Sequence, residues 1–374
     1  MKRLRAIPRP NWQATVESQG LHFHTPEGQP YWDESAYYQF TAREIDELEA
    51  ATYELDRMCL AAAQHVVDER RCDLLGIPEA FADWVAKSWE GDDLTIYGRF
   101  DLAYDGQGPP KLLEYNADTP TSLLEAAVIQ WHWMKDTQPQ FDQFNNIHER
   151  LIEAWTALKP AARGTVYFSS LKGHVEDYMT ANYLRDTAIQ ADLATEYLAI
   201  DDIGWNERRR LFVDLRERPI QQIFKLYPWE WLIHESFGPN LIRCPTRWLE
   251  SPWKMMLSNK AILIVLHELF PDSPYLLPTT LQPIGDSYVK KPTLAREGAN
   301  ITMVANGQAV LETGGDYGGP FVYQELHRLP EFDGNYPVIG SWMVNGYACG
   351  IGIREDTSPV TQNLSRFVPH VFSS

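Results

Sequence analysis

The sequence predicts a mixed α+β and α/β protein of two or three lobes, on three observations. Alternating strands flank a Gly- and Pro-rich connection between Ile96 and Asn116, a strand–helix–strand unit occupies residues 165–200, and a run of hairpins follows residue 286. At 374 residues the chain can bury a substantial core, and 44% hydrophobic residues, 22% charged residues and 13 Trp are the composition of a folded chain. Lys and Arg number 33 against 51 Asp and Glu, a formal charge of −18. That balance argues against a nonspecific binder of nucleic acid or anionic membrane and suits a cationic substrate such as a polyamine. Cys59, Cys72, Cys244 and Cys349 are scattered, without zinc-ligand spacing, and read as reduced thiols. No apolar stretch after Lys2, Arg3, Arg5 and Arg9 makes a signal peptide, and the run Ala261–Leu266 is too short to span a bilayer, so a soluble, cytoplasmic protein is expected.

In chain order, residues 1–40 are aromatic and contain His22 and His24, an HxH pair that lacks further ligands and reads as structural. Thr41 and Glu44 form a capping box for a packing helix with apolar positions Ile45, Leu48, Leu55, Met58, Ala62 and Val66. The strand from Ile96 to Tyr104 places Arg99 and Asp101 on one face, and the connection Asp105–Pro110 leads to a second strand, Lys111–Asn116. If Tyr104 faces Lys111, Asp101 lies opposite Glu114 and Arg99 opposite Asn116. Facing carboxylates repel unless a cation or a proton lies between them, so the hairpin reads as a Mg²⁺ site. The alternative is a solvated polar face balanced by Arg99 and Lys111.

Thr119 and Pro120 predict the cap and first position of a helix with buried Leu123, Leu124, Ala127, Val128, Trp131 and Met134, its amino end beside the proposed metal. Strands Thr165–Ser169, Thr195–Ile200 and Ile220–Tyr227, with a helix over about 174–191, predict a small parallel lobe. Its strand ends point to Ser169, Ser170, Glu176, Asp177 and the turn Tyr227–Glu230, although Glu176 and Asp177 also simply suit a helix amino terminus. A helix from Trp253 to Phe270 carries Lys260, which by itself reads as a snorkelling lysine and gains a functional role only through the segments that follow. The strand Ser287–Lys291 ends before a loop with Arg296 and Glu297, which suits a flap over phosphates. The hairpin Val338–Ile353 turns at Asn345–Gly346 and delivers Arg354, Glu355 and Asp356. The Gly-rich stretch Thr313–Gly319 suits a mobile lid.

Taken together, Arg99–Asp101, Glu114–Ser122, Ser258–Ala261, Lys291–Ile301 and Gly350–Asp356 resemble, in order and over nearly the whole chain, the glutathionylspermidine synthase family. They are most similar to its stand-alone acid–amine ligases, which lack the amidase domain. The resemblance implies an ATP-grasp fold in permuted order, with residues 1–160 and 251–374 forming the nucleotide core and 161–250 a substrate lobe. It implies ATP and two Mg²⁺ ions, with Asp101, Glu114 and Asn116 as metal ligands. Arg99, Phe100, Lys260 and Lys291 belong to the nucleotide site, and Gln324, Glu325 and Leu326 to an adenine hinge. Arg99 and Arg354 take catalytic roles, and Thr119, Thr121, Glu176 and Asp177 face the substrates. The implied reaction activates a peptide-like carboxylate as an acyl phosphate and joins it to an amine. The amine must lose a proton, for which Glu176, Asp177, Glu355 and Asp356 are candidates. Thr119 and Thr121 replace serines expected in the spermidine ligases, which leaves the substrates open. An ATP-grasp ligase or kinase for another peptide, or a noncatalytic ATP-binding sensor or scaffold, are the alternatives.

Overall fold

The structure is a computed structural model and describes residues 1–373. The capping box forms as read: Thr41 and Glu44 close the amino end of a helix spanning Ala42–Asp68. The buried stripe of this helix, Leu48, Leu55, Met58, Ala62 and Val66, belongs to the largest apolar cluster.

That helix packs against a five-stranded antiparallel sheet built from distant parts of the chain. Its strands run in the order Arg366–Val368, Tyr347–Asp356, Tyr336–Val344, Tyr97–Ala103 and Lys111–Asn116. The inner hairpin turns at Asn345 and Gly346, both with positive φ, as two-residue hairpin loops require. A second antiparallel sheet joins Thr279–Thr280, Phe321–Glu325, Tyr288–Pro292, Thr302–Ala305 and Gln308–Glu312. Between the two halves of the chain, strands Arg247–Leu249, Gln222–Leu226, Val166–Ser170 and Thr195–Tyr197 pair in parallel. The helix Val175–Gln190 connects Val166–Ser170 to Thr195–Tyr197. The strand Ala36–Thr41 pairs with both Lys2–Arg5 and His370–Ser373, which brings the two ends of the chain together.

Three local expectations are corrected. The helix expected at Thr119–Pro120 begins only at Leu123, after an extended segment in which Ser122 has φ 63°. Thr119 therefore does not cap it, because its hydroxyl is taken by Arg296 instead. The single helix expected over Trp253–Phe270 is broken. Asn259 is extended (φ −88°, ψ 129°) between Met255–Ser258 and Ile262–Leu269, and its side chain reaches Leu75 O and Ala261 N. Finally, Ala103 and not Tyr104 lies opposite Lys111, and an irregularity after Asp101 absorbs the slip. At the site itself the register is the expected one: Asp101 faces Glu114 and Arg99 faces Asn116.

Candidate active site

The pairing of Tyr97–Ala103 with Lys111–Asn116 puts Arg99, Asp101, Glu114 and Asn116 on one face, because side chains alternate along a strand. The Arg99 guanidinium donates to Asp101 through Nε (2.6 Å) and Nη2 (3.0 Å), and through Nη1 to Thr121 O (2.6 Å). It lies over Trp342, and the backbone beneath it is Gly340, where an added Cβ would meet Arg99 Cδ at 2.6 Å. Only glycine leaves room for Arg99 to run across this strand. Asn116 Nδ2 sits 3.0 Å from Asp101 and 3.2 Å from Glu114.

Phe100 goes the other way. It is fully buried and stacked on Tyr115 with ring centroids 3.9 Å apart, so alternation removes it from the nucleotide site where it was expected.

Lysines approach Glu114 from the second sheet and the broken helix. Lys260 Nζ lies 3.1 Å from Glu114 and 2.5 Å from Ala295 O, a position created by the break at Asn259. Lys291 Nζ donates to Gln324 Oε1 (2.7 Å) and Leu113 O (3.1 Å). Burial raises the Glu114 pKa, but Lys260 and Lys291 outweigh it and bring it from 4.5 down to about 2. Asp101 moves up, because burial and the Glu114 charge exceed what Arg99 returns. Burial lowers Lys291 from 10.5 to about 8, with Lys260 adding to the effect and Glu114 opposing it. The hairpin thus holds one firmly ionised carboxylate and one that resists ionisation, as close carboxylate pairs do.

Two clefts meet here. The larger, of about 460 Å³, is walled by Arg99, Asn116, Thr119, Thr121, Glu176, Asp177 and Arg354 among others. The smaller, of about 120 Å³, lies between the sheets, lined by Lys260, Lys291, Gln324 and Glu325 with apolar Leu277, Val289, Ile301 and Met303. Asp101, Glu114 and Glu297 border both. Leu326 lines neither; its backbone N–H pairs with Ser287 O, outside the cleft. Gln324 is nearly fully buried and committed to Lys291 and Leu112 O.

Arg354 enters the larger cleft with Nη2 held by the carbonyls of Gln362, Asn363 and Ser365, and it lies over the Tyr31 ring. Glu176 faces this guanidinium. Burial, with Glu125 behind it, lifts its carboxyl to about 7 against the pull of Arg354. Asp177 also moves up through burial, opposed by His174 and Arg296. Glu355, in contrast, is fully buried away from the cleft, where Arg3, Arg366 and the Tyr38 hydroxyl engage it. Asp356 accepts from Ser358 N and Ser365 Oγ. Neither lines a cleft, so both leave the set of proton acceptors. Ser169 and Ser170 are likewise buried and line neither.

Arg296 is read from the sequence in the loop after Lys291, whereas Lys225, Asp118, Tyr31 and Glu125 give no local signal. Arg296 spans from Thr119 (2.7 Å) to Glu230 (2.7 Å) and so ties the loop after Lys291 to the parallel sheet. Lys225 and Asp118 form a buried pair at 2.6 Å, and Asp118 also accepts from Trp229 N. Tyr31 donates to Glu125 (2.8 Å), a buried carboxylate on a π turn spanning Glu125–Ile129. Among the described residues no cluster of three or more His, Cys, Asp or Glu is arranged to hold a metal. What the hairpin offers is two carboxylates and an amide, an all-oxygen donor set once the amide presents its oxygen, and this fits a hard cation.

Residues 3–373 match the family model described as glutathionylspermidine synthase preATP-grasp, which places the chain among the ATP-grasp C–N ligases. The chain belongs to the glutathionylspermidine synthase family. It is 41% identical, over the full length of both chains, to a provisionally named acid–amine ligase of Haemophilus influenzae. It is 30% identical to the bifunctional glutathionylspermidine synthetase/amidase of Escherichia coli over 89% of its own length, and spans 58% of that relative. A glutathione synthetase-like effector from Globodera pallida shares the fold, with a TM-score of 0.57 at 10% identity, over 98% of this chain and 100% of that one. No helix of the described residues is long and apolar enough to cross a membrane.

Proposed function

We propose that the chain is an ATP- and Mg²⁺-dependent carboxylate–amine ligase of permuted ATP-grasp architecture. The observation that carries this reading is the meeting of two clefts at Asp101 and Glu114, with Lys260 and Lys291 on the smaller cleft and Arg99 and Arg354 on the larger. Residues 1–160 and 251–374 are then one discontinuous core, since strands from both lie in one sheet, and residues 161–250 are the substrate lobe. Free thiols at Cys59, Cys72, Cys244 and Cys349 suit a cytoplasmic enzyme.

The apolar smaller cleft suits an adenine ring, with the backbone at Glu325 beside it, and directs the phosphates toward Lys260, Lys291 and Glu114. Asp101, Glu114 and Asn116 would hold the ions, and Mg²⁺ bound there supplies positive charge to the phosphoryl oxygens. A carboxylate attacking the γ-phosphate is anion meeting anion. Arg99 and Arg354 reduce that repulsion from the larger cleft, where Thr119 and Thr121 offer hydroxyls to a peptide-like substrate. The carboxylate oxygen takes the γ-phosphoryl group of ATP, and ADP leaves. The amine nitrogen then attacks the acyl carbon, phosphate leaves, and the amine proton passes to an acceptor. Glu176, with a carboxyl near pH 7, is well matched to accept it.

The test is a panel of peptide carboxylates and amines with Mg-ATP, read by mass. A product equal to acid plus amine minus water, with ADP and phosphate released, is expected. A product carrying phosphate establishes a kinase instead, and ATP binding without consumption establishes a sensor.

A further inference from the structure

The pairing of Tyr97–Ala103 with Lys111–Asn116 ends at Arg99 and Asn116, the open end of the site hairpin. One step further out, the N–H and C=O of Tyr97 have no partner in the second strand. Side chains supply the missing rung. Glu250 accepts from Ile96 N (2.9 Å) and Tyr97 N (3.2 Å), and Lys254 Nζ donates to Tyr97 O (2.9 Å) and, across the gap, to Ala117 O (3.1 Å). The two charged groups lie 3.4 Å apart, and both residues are buried.

Lys254 also begins a segment that grips the hairpin a second time. It leads through the short helix Met255–Ser258, whose Met256 and Leu257 are buried in one cluster with Leu112 and Tyr115, to Lys260, 3.1 Å from Glu114. One grip is at the open end and the other at the facing carboxylates. A buried ion pair is a costly way to close a strand end that apolar residues could cover, and fixing register is its best-attested use. Lys254 and Glu250 line neither cleft, so they lie behind the site and not in it.

We propose that Lys254, with Glu250 as its counter-charge, is a positioning residue that sets the hairpin so that Asp101, Glu114 and Asn116 meet Lys260 at a fixed distance. The assignment rests on the reading of the hairpin as the Mg-ATP site and extends it to a residue outside both clefts. Lys254 holds Ala117, the neighbour of Asn116, and Tyr97, two residues before Arg99. Without those two bonds the strands are free to splay at the open end, and the oxygen donors lose their common geometry. The ligand set is then preformed, and ions and nucleotide do not have to order it.

The experiment compares wild type with Lys254→Met, which keeps the aliphatic stem and removes the donors, and with Lys254→Arg, which restores them. Glu355→Gln serves as a variant that loses a buried ion-pair partner away from both clefts. Calorimetry measures a nonhydrolysable ATP analogue with and without Mg²⁺. In Lys254→Met the affinity that Mg²⁺ adds should fall roughly ten- to a hundredfold, with most of it recovered in Lys254→Arg and none lost in Glu355→Gln. Hydrogen exchange without ligand should rise in residues 96–101 and 114–118 of Lys254→Met more than elsewhere in the chain. A Mg²⁺ gain that stays at the wild-type value in Lys254→Met, or that falls as far in Glu355→Gln, overturns the proposal, and so does exchange that rises evenly. If Lys254→Met does not fold, wild type decides: residues 96–101 and 114–118 should be as protected before Mg²⁺ and nucleotide as after, and ordering on their addition overturns the preset hairpin. If wild type binds no nucleotide the ligase reading fails, while selective exchange in Lys254→Met still upholds the clamp.

Discussion

Replacing Glu114 by Gln keeps the size of the side chain and removes the negative charge between Lys260, 3.1 Å away, and Lys291. Holding the carboxyl at about 2 instead of 4.5 corresponds to roughly 3 kcal/mol in favour of the ionised form. The side chain is 29% exposed and water screens part of this, so a stability loss of about 2 kcal/mol is expected for the variant at pH 7. At roughly 2 cal/mol/K of unfolding entropy per residue, that is a fall of about 2–3 °C in Tm for this chain. The sign of the pH dependence follows from the depressed folded value. The unfolded carboxyl binds its proton first as pH falls, so the wild-type advantage is complete above about 4.5 and shrinks as pH falls toward 2. Urea denaturation from pH 7 to pH 3.5, without ligand, measures the gap. Mg-ATP is then added at pH 7, where about a hundredfold excess over Kd adds about 2.7 kcal/mol to the wild type. The variant should lose most of that gain, because the charge opposite Asp101 is gone. A gap that does not narrow below pH 4.5 refutes the electrostatic account, and an undiminished Mg-ATP gain refutes the site.

Further expectations are separable by assay. Gly340→Ala should lower stability by about 1–3 kcal/mol and abolish ADP release, because its Cβ takes the place of Arg99 Cδ; chemical denaturation and turnover check this. Glu355→Gln should cost about 3–5 kcal/mol by leaving Arg3 and Arg366 without their buried partner, while Mg-ATP affinity of the folded fraction stays unchanged. Glu176→Gln should gain on wild type as pH rises. A folded carboxyl raised to about 7 favours folding below 4.5, and this contribution declines between 4.5 and 7. Denaturation at pH 5 and pH 8 should therefore show the variant relatively more stable at pH 8, by about 2 kcal/mol.

The sequence by itself determined what depends on near neighbours. Thr41 and Glu44 fix a helix start through a contact three residues long, and Asn345–Gly346 fixes a hairpin through its own φ preferences. Strand period put Arg99 and Asp101 on one face, but Asp101 meets Glu114 as read only because the irregularity after Asp101 offsets the one-residue slip at Lys111. The ordered motifs further indicated the family. Three of the failures share one cause, which is competition from a distant group. Thr119 reads as a cap until Arg296, far along the chain, takes its hydroxyl. The stretch 253–270 reads as one helix until Asn259 bonds Leu75 O and Ala261 N, and that break is what aims Lys260 at Glu114. Glu355 reads as a candidate base until Arg3, Tyr38 and Arg366 surround it. Only the tertiary structure decided these, because the free energy of a buried charge is set by partners whose positions local pattern does not encode.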